Sequence, residues 1–138
     1  MLGRAEIEAL IPHTGAMVLI DRVIAMDERS IDCVTSSHRR DDNPLCVRGR
    51  LPAVCGAEYG AQAAAIHGPA LAGARQRSGQ LVLLRDISWR IPDLSVIERP
   101  LTVRAERLHS DASSIAYRFR ITSEDDEIVT GECGVILS

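Results

Sequence analysis

The sequence predicts an α+β fold: a curved antiparallel sheet of about six strands packed on one apolar helix. Three observations predict it. Residues 51–68 are rich in Ala and carry one charge, Glu58. Four strand-like runs follow residue 80, and two more precede the helix. The links between consecutive strands are short and polar, which favours antiparallel neighbours. Small helix side chains let a sheet wrap closely, at the cost of apolar area per residue.

Each element has a local reason. Residues 4–10 are helix formers with acids near the start, and they end at Ile11-Pro12, where the position before proline disfavours helix. Residues 17–26 (MVLIDRVIAM) are apolar and rich in β-formers. In residues 30–36, Ile31, Cys33 and Thr35 alternate against Asp32, Val34 and Ser36. Asp27-Glu28-Arg29 joins the two runs as a hairpin. Residues 38–50 form a charged loop broken by Asn43-Pro44 and Gly49. Pro52 suits a helix start and Gly68-Pro69 reads as a stop, so the long helix is expected over 53–67. Residues 70–79 read as a second short helix or a loop. Strands are expected over 81–91, around 101–106, over 115–122 and over 128–137. Leu101, Val103 and Ala105 alternate with Thr102, Arg104 and Glu106, as Ile115, Tyr117, Phe119 and Ile121 do with Ala116, Arg118, Arg120 and Thr122. Arg on the outward positions implies one solvated sheet face. In residues 87–91, Ile87, Trp89 and Ile91 are expected to share a face.

The composition narrows the function. The 138 residues suffice for one core, and residues 1–138 are expected to be one domain. Apolar residues make up 46% and the net charge is −3, which argues against a protein that coats nucleic acid. The aromatics are Tyr59, Trp89, Tyr117 and Phe119, too few to stack single strands. There is no Lys, so Schiff-base chemistry on a side-chain amine is excluded. The start of the chain has acids and no apolar core of a signal sequence, which makes the cytoplasm the expected compartment. Residues 51–74 do not read as a membrane span, because a carboxylate near the centre costs about 3 kcal/mol and Pro69 interrupts them. Cys33, Cys46, Cys55 and Cys133 form no metal-ligand spacing and read as free thiols. No metal and no cofactor are expected.

Glu58 is the first candidate for chemistry. Its helical neighbours Val54, Ala57, Ala61 and Ala65 are apolar, and Gln62 is one turn on. A carboxylate there must be paired, hydrogen-bonded or proton-shifted, unless it turns to solvent at a helix edge. His13 precedes the first strand and is either an acid–base group or a turn histidine bonded to backbone. His38 opens the charged loop and is either an acid–base group or a surface residue. His67 stands beside the expected helix stop, where a cation complements the dipole. His109 is expected at an exposed strand end. Arg39, Arg40, Arg48 and Arg50 either hold a phosphate or pair with Asp41 and Asp42.

Two stretches carry a family resemblance. Residues 11–23 (IPHTGAMVLIDRV) resemble the LPHRxPxLLVDRV segment of FabA/FabZ-type 3-hydroxyacyl-ACP dehydratases. Residues 51–63 (LPAVCGAEYGAQA) resemble their MPGVLxxEAxAQA helix start, with Pro52, Val54, Glu58, Ala61, Gln62 and Ala63 in step. The pattern SHRRDDNPL…GRLPAVCGAEYGAQA looks most like a divergent branch that includes the dehydratase-like component of aryl-polyene clusters. The resemblance covers nearly the whole chain. It implies the hotdog fold, in which the sheet wraps a central helix and two subunits pair. It also implies an acyl chain carried on the phosphopantetheine arm of acyl carrier protein. Glu58 matches the acidic catalytic residue, which in this family works with a His from a GHFPG segment. Here Pro44 stands near that slot, and the local text NPLCVRGR has no His.

The resemblance therefore implies two readings. In the first, the chain is a dehydratase with Glu58 as acid–base group and His38 or His13 in place of the missing histidine. Gln62, Pro52, Ala53, Arg48 and Arg50 then contact the substrate and its carrier, and a thioesterase using Glu58 to activate water is a variant. In the second, the chain is a non-catalytic subunit of a complete dehydratase, so the pair is a homodimer or a heterodimer. A homodimeric acyl-binding module is a third possibility. Gly56 and Gly60 leave room either for an acyl chain or for a close contact of the helix.

Overall fold

The computed structural model describes residues 1–72 and 79–137 and has the predicted order of elements. Helix α1 (Arg4–Leu10) leads to β1 (Arg22–Met26) and β2 (Ser30–Thr35). The long helix α2 (Gly56–Ala72) follows, and then β3 (Gly79–Trp89), β4 (Leu101–Ser110), β5 (Ser114–Ser123) and β6 (Asp126–Leu137). The strands form one sheet in the order β1-β2-β4-β5-β6-β3, with antiparallel pairing throughout. Helix α2 packs across it, touching β4, β5, β6 and β2.

The period-two pattern places the core. Leu101, Val103 and Ala105 of β4 and Tyr117, Phe119 and Ile121 of β5 are buried, as are Ile31 and Cys33 of β2. Tyr59, Ala63 and Ile66 of α2 meet them. The Phe119 ring is the tightest point. A Cβ at Gly60 would stand 2.2 Å from its Cγ, and one at Gly131 would stand 2.7 Å from its Cζ. The two glycines let helix and sheet close on the ring from both sides. Gly56 is similarly tight, because a Cβ there would stand 3.0 Å from Ile121 and Val129 methyl carbons. At these positions the helix glycines serve close packing.

The structure differs from the expectation in four places. β1 starts at Arg22, not at residue 17, because Leu19 and Ile20 donate to the Gln62 side chain and not to a strand. α2 runs through Gly68-Pro69 to Ala72. A proline there forfeits one helix bond in the last turns, where its fixed φ still fits. The segment expected over 70–79 is helix as far as Ala72, and residues 73–78 lie outside the described residues. In β3 the alternation of Ile87, Trp89 and Ile91 does not hold. Bulges interrupt its pairing between Arg85 and Ser88, and Asp86 has φ +57°, so Trp89 is 47% exposed.

All four cysteines are free. Burial pushes the Cys33 thiol up to about 12 and the Cys133 thiol up to about 11, so both are inert at neutral pH.

Candidate active site

One face of α2 borders an apolar cavity of about 190 Å³. Glu58, Ala61, Gln62, Ala65, Gly68 and Pro69 line it, a spacing that keeps them on one side of the helix. Glu58 and Pro69 lie roughly 16 Å apart along the helix axis at about 1.5 Å per residue. Leu10, Pro12 and His13 form a second wall, and Ile115, Tyr117 and Val135 of the sheet form a third. The polar side chains on the wall are Glu58, His13, Gln62 and Tyr117.

Glu58 is exposed and makes no hydrogen bond or ion pair among the described residues. This helix edge is open in the single chain, so the carboxylate turns to solvent there. His13 is half-buried, and its Nδ1 is shielded from solvent with no hydrogen-bond partner among the described residues. A buried polar atom costs about 1–3 kcal/mol unless a ligand or water pairs with it, and His38 Nδ1, Arg40 Nε and Arg107 Nε share that state.

Gln62 is buried and bonds to the segment that follows His13 in the chain. Its Oε1 accepts from Leu19 N at 2.6 Å and Ile20 N at 3.2 Å, and its Nε2 donates to Met17 O at 2.9 Å. Both lone pairs of the oxygen are used, and one amide hydrogen remains for the cavity. The side chain thus ties α2 to residues 17–20.

The other predicted residues lie away from this wall. His38 is neither a surface group nor a cavity group. It is 1% exposed, and its Nε2 sits 2.9 Å from Ile97 O. Ala53 is buried, and its N–H donates to Pro92 O at 2.9 Å, so it is not free for a thioester oxygen. Pro52 bridges to Asp93. The charged loop is divided. Arg39 donates to Ser95 O and Arg40 meets Asp42 at 3.5 Å, whereas Arg48 and Arg50 make no ion pair within 4 Å among the described residues. Arg48 and Gly49, at φ +53° and +76°, form the tip of a tight hairpin closed by Val47 and Arg50. Among the described residues no group of side chains is arranged to hold a metal. No helix there is long and apolar enough to cross a membrane.

His67 is not a helix-end cation. It is fully buried within α2, with Nδ1 2.7 Å from Tyr117 Oη and Nε2 2.8 Å from Asp27 O. The carbonyl can only accept, so Nε2 carries the proton and Tyr117 donates to Nδ1. Desolvation pulls both His67 and His38 below the ordinary 6.5. Unfolding then takes up protons once the pH falls below 6.5. The stabilisation is complete above that value and is lost as the pH falls. Melting temperature is expected to drop as the pH falls below about 6.5. A second loss is expected below 3.8 as Asp27 and Asp93 protonate, since hydrogen bonds from Arg29 N to Asp27, and from the Ser95 hydroxyl to Asp93, lower both carboxyls. A flat melting temperature across the upper range would contradict the neutral, buried histidines.

Residues 5–137 match the family model described as ApeP dehydratase, ApeP-like. The chain belongs to the ApeP-like dehydratase family. Among solved structures it is similar to the dehydratase heterocomplex ApeI:P from Xenorhabdus doucetiae, at 22% identity and a TM-score of 0.85, over 96% of this chain and 90% of that one. It is also similar to AziG from S. sahachiroi, at 16% identity and a TM-score of 0.70, over 93% and 97%. A mutant thioesterase from Pseudomonas aeruginosa matches at 12% identity and a TM-score of 0.64, over 84% and 79%. These structural likenesses establish the hotdog fold. No curated protein matches significantly.

In this ApeP-like chain the loop that faces the start of α2 is built around Asn43 and Pro44. Asn43 is buried, and its Nδ2 donates to Tyr59 Oη at 3.0 Å and Ser37 O at 2.9 Å. Ser37 Oγ lies 2.8 Å from the same phenol. This pins the loop to the helix beside Glu58. Sequence reasoning missed Asn43, Tyr59, His67 and Tyr117 as polar partners, because the residues of each contact are 16 to 50 positions apart in the chain.

Proposed function

We propose that this ApeP-like protein is a 3-hydroxyacyl-ACP dehydratase whose acid–base groups are Glu58 and His13. The observation that carries this reading is that a carboxylate and an imidazole, whose Nδ1 has no partner among the described residues, line one apolar cavity of the same chain. Dehydration breaks the C2–H and C3–O bonds and forms the C2=C3 double bond, with water leaving. One group takes the C2 proton and the other protonates the departing hydroxyl. Ala61, Ala65 and Gly68 would line the path of the acyl tail. Gln62 ties α2 to residues 17–20 and has one amide hydrogen left for the substrate. Arg48 and Arg50, at the exposed hairpin, would attract an acidic acyl carrier protein and the phosphate of its arm.

A second reading has a specific observation in its favour. The loop slot at Pro44 has no histidine, and Glu58 stands open to solvent. Strand β3 at the sheet edge also exposes Leu83, Leu84 and Trp89. A second hotdog subunit could dock on that edge and bring its own histidine to Glu58, as a heterocomplex like that of the ApeI:P relative would allow. His13→Gln separates the two. Under the first reading, turnover of a 3-hydroxyacyl thioester by the chain alone falls at least about 10²-fold. Under the second, the chain alone is inactive, and His13→Gln leaves the activity of the two-subunit complex unchanged.

A further inference from the structure

We infer that Tyr117 is a fixed stop that sets how long an acyl chain the cavity accepts, an inference that rests on the substrate class proposed above. Tyr117 is on the cavity wall, 1% exposed, and contacts hold it on several sides. Its hydroxyl donates to His67 Nδ1 at 2.7 Å and accepts from Arg107 Nη2 at 3.3 Å. The His67 ring meets it edge-on, at 5.5 Å between centroids and 86° between planes, and the Arg107 guanidinium lies 5.8 Å from its centroid. His67 is held in turn by Asp27 O, so the clamp joins α2, the β1–β2 turn, β4 and β5.

The clamp fixes a distance. Glu58 and His67 lie roughly 14 Å apart along the helix axis. A chain whose reacting carbons sit at Glu58 would pass Ala61 and Ala65 and reach the ring near the far end of the cavity, where Gly68 and Pro69 are the last helix residues on its wall. A free aromatic side chain would swing aside for a longer tail. This one cannot swing without leaving the buried His67 Nδ1 unpaired. Nothing in the proton transfers needs Tyr117, so the network has a use apart from them.

The test is binding of saturated acyl-pantetheine thioesters of increasing length to the whole chain, by calorimetry. These compounds lack the 3-hydroxyl and do not react. Affinity should rise about four-fold per methylene and then break off sharply. In Tyr117→Val the break should move to longer chains. Should that variant fail to fold, Tyr117→Phe decides: it keeps the ring and cuts the tether, so chains beyond the break should gain at least about four-fold while shorter ones are unchanged. A profile without a break, or the same break in the folded variant, overturns the stop. Turnover without a break leaves the dehydratase reading standing and this inference overturned. A movable break without turnover does the reverse, and no binding at any length overturns both.

Discussion

Glu58→Gln is expected to lower dehydration of a 3-hydroxyacyl thioester by about 10²–10⁴-fold, the contribution of one positioned acid–base group. The amide has nearly the shape of the carboxyl but neither accepts nor releases a proton at the reacting carbons. Glu58 is exposed and makes no hydrogen bond among the described residues. Its replacement should therefore change unfolding free energy by less than about 0.5 kcal/mol. Enoyl absorbance follows the first quantity and a urea melt the second. Full activity in Glu58→Gln would remove the carboxylate from the chemistry. A large loss of stability would mean that it has a structural partner.

The largest effect on folding is expected from Gly60→Ala. The added Cβ would stand 2.2 Å from Phe119 Cγ and 2.6 Å from both Cδ atoms, at the root of the ring and not at a flexible tip. The ring cannot retreat, because Gly131 already closes on its far edge and Ile87 reaches the same point. The helix must lift off the sheet, at a cost of about 3 kcal/mol or more. Urea denaturation would show a lowered midpoint or no cooperative transition. Phe119→Ala, which removes the clashing Cγ and Cδ atoms, should cost less in the Gly60→Ala background than in the wild type, a coupling that a double-mutant cycle isolates. A normal midpoint in Gly60→Ala alone would mean that helix and sheet are not in this contact.

The strands were legible because period two is a local signal. Leu101, Val103, Ala105, Phe119 and Ile121 point inward as their alternation requires. Signals failed where packing overrides local preference. Gly68-Pro69 reads as a stop, yet α2 continues for another turn. The bulges in β3 turn Trp89 outward although the residue types around it alternate in the sequence. Gly60 allowed either a ligand or a close contact, and only the position of Phe119, 59 residues on, decides between them. The site divides the same way. The motif around Glu58 places a carboxylate on the long helix. The cavity it shares with His13 is a product of the fold, as is the tie from Gln62 to residues 17–20, bonds across more than 40 residues that no spacing rule contains. His38 and His67 were ambiguous as single residues, since burial and a carbonyl partner are properties of the folded chain.

Glu58 and His13 of this one chain are proposed to carry out dehydration together. The most direct measurement is turnover of a 3-hydroxyacyl thioester by the purified chain alone, followed at the enoyl absorbance with Glu58→Gln and His13→Gln beside it. Enoyl formation by the wild type that disappears in both variants is the predicted result. A folded chain that forms no enoyl product by itself, and does so only when a second hotdog subunit is added, would contradict it.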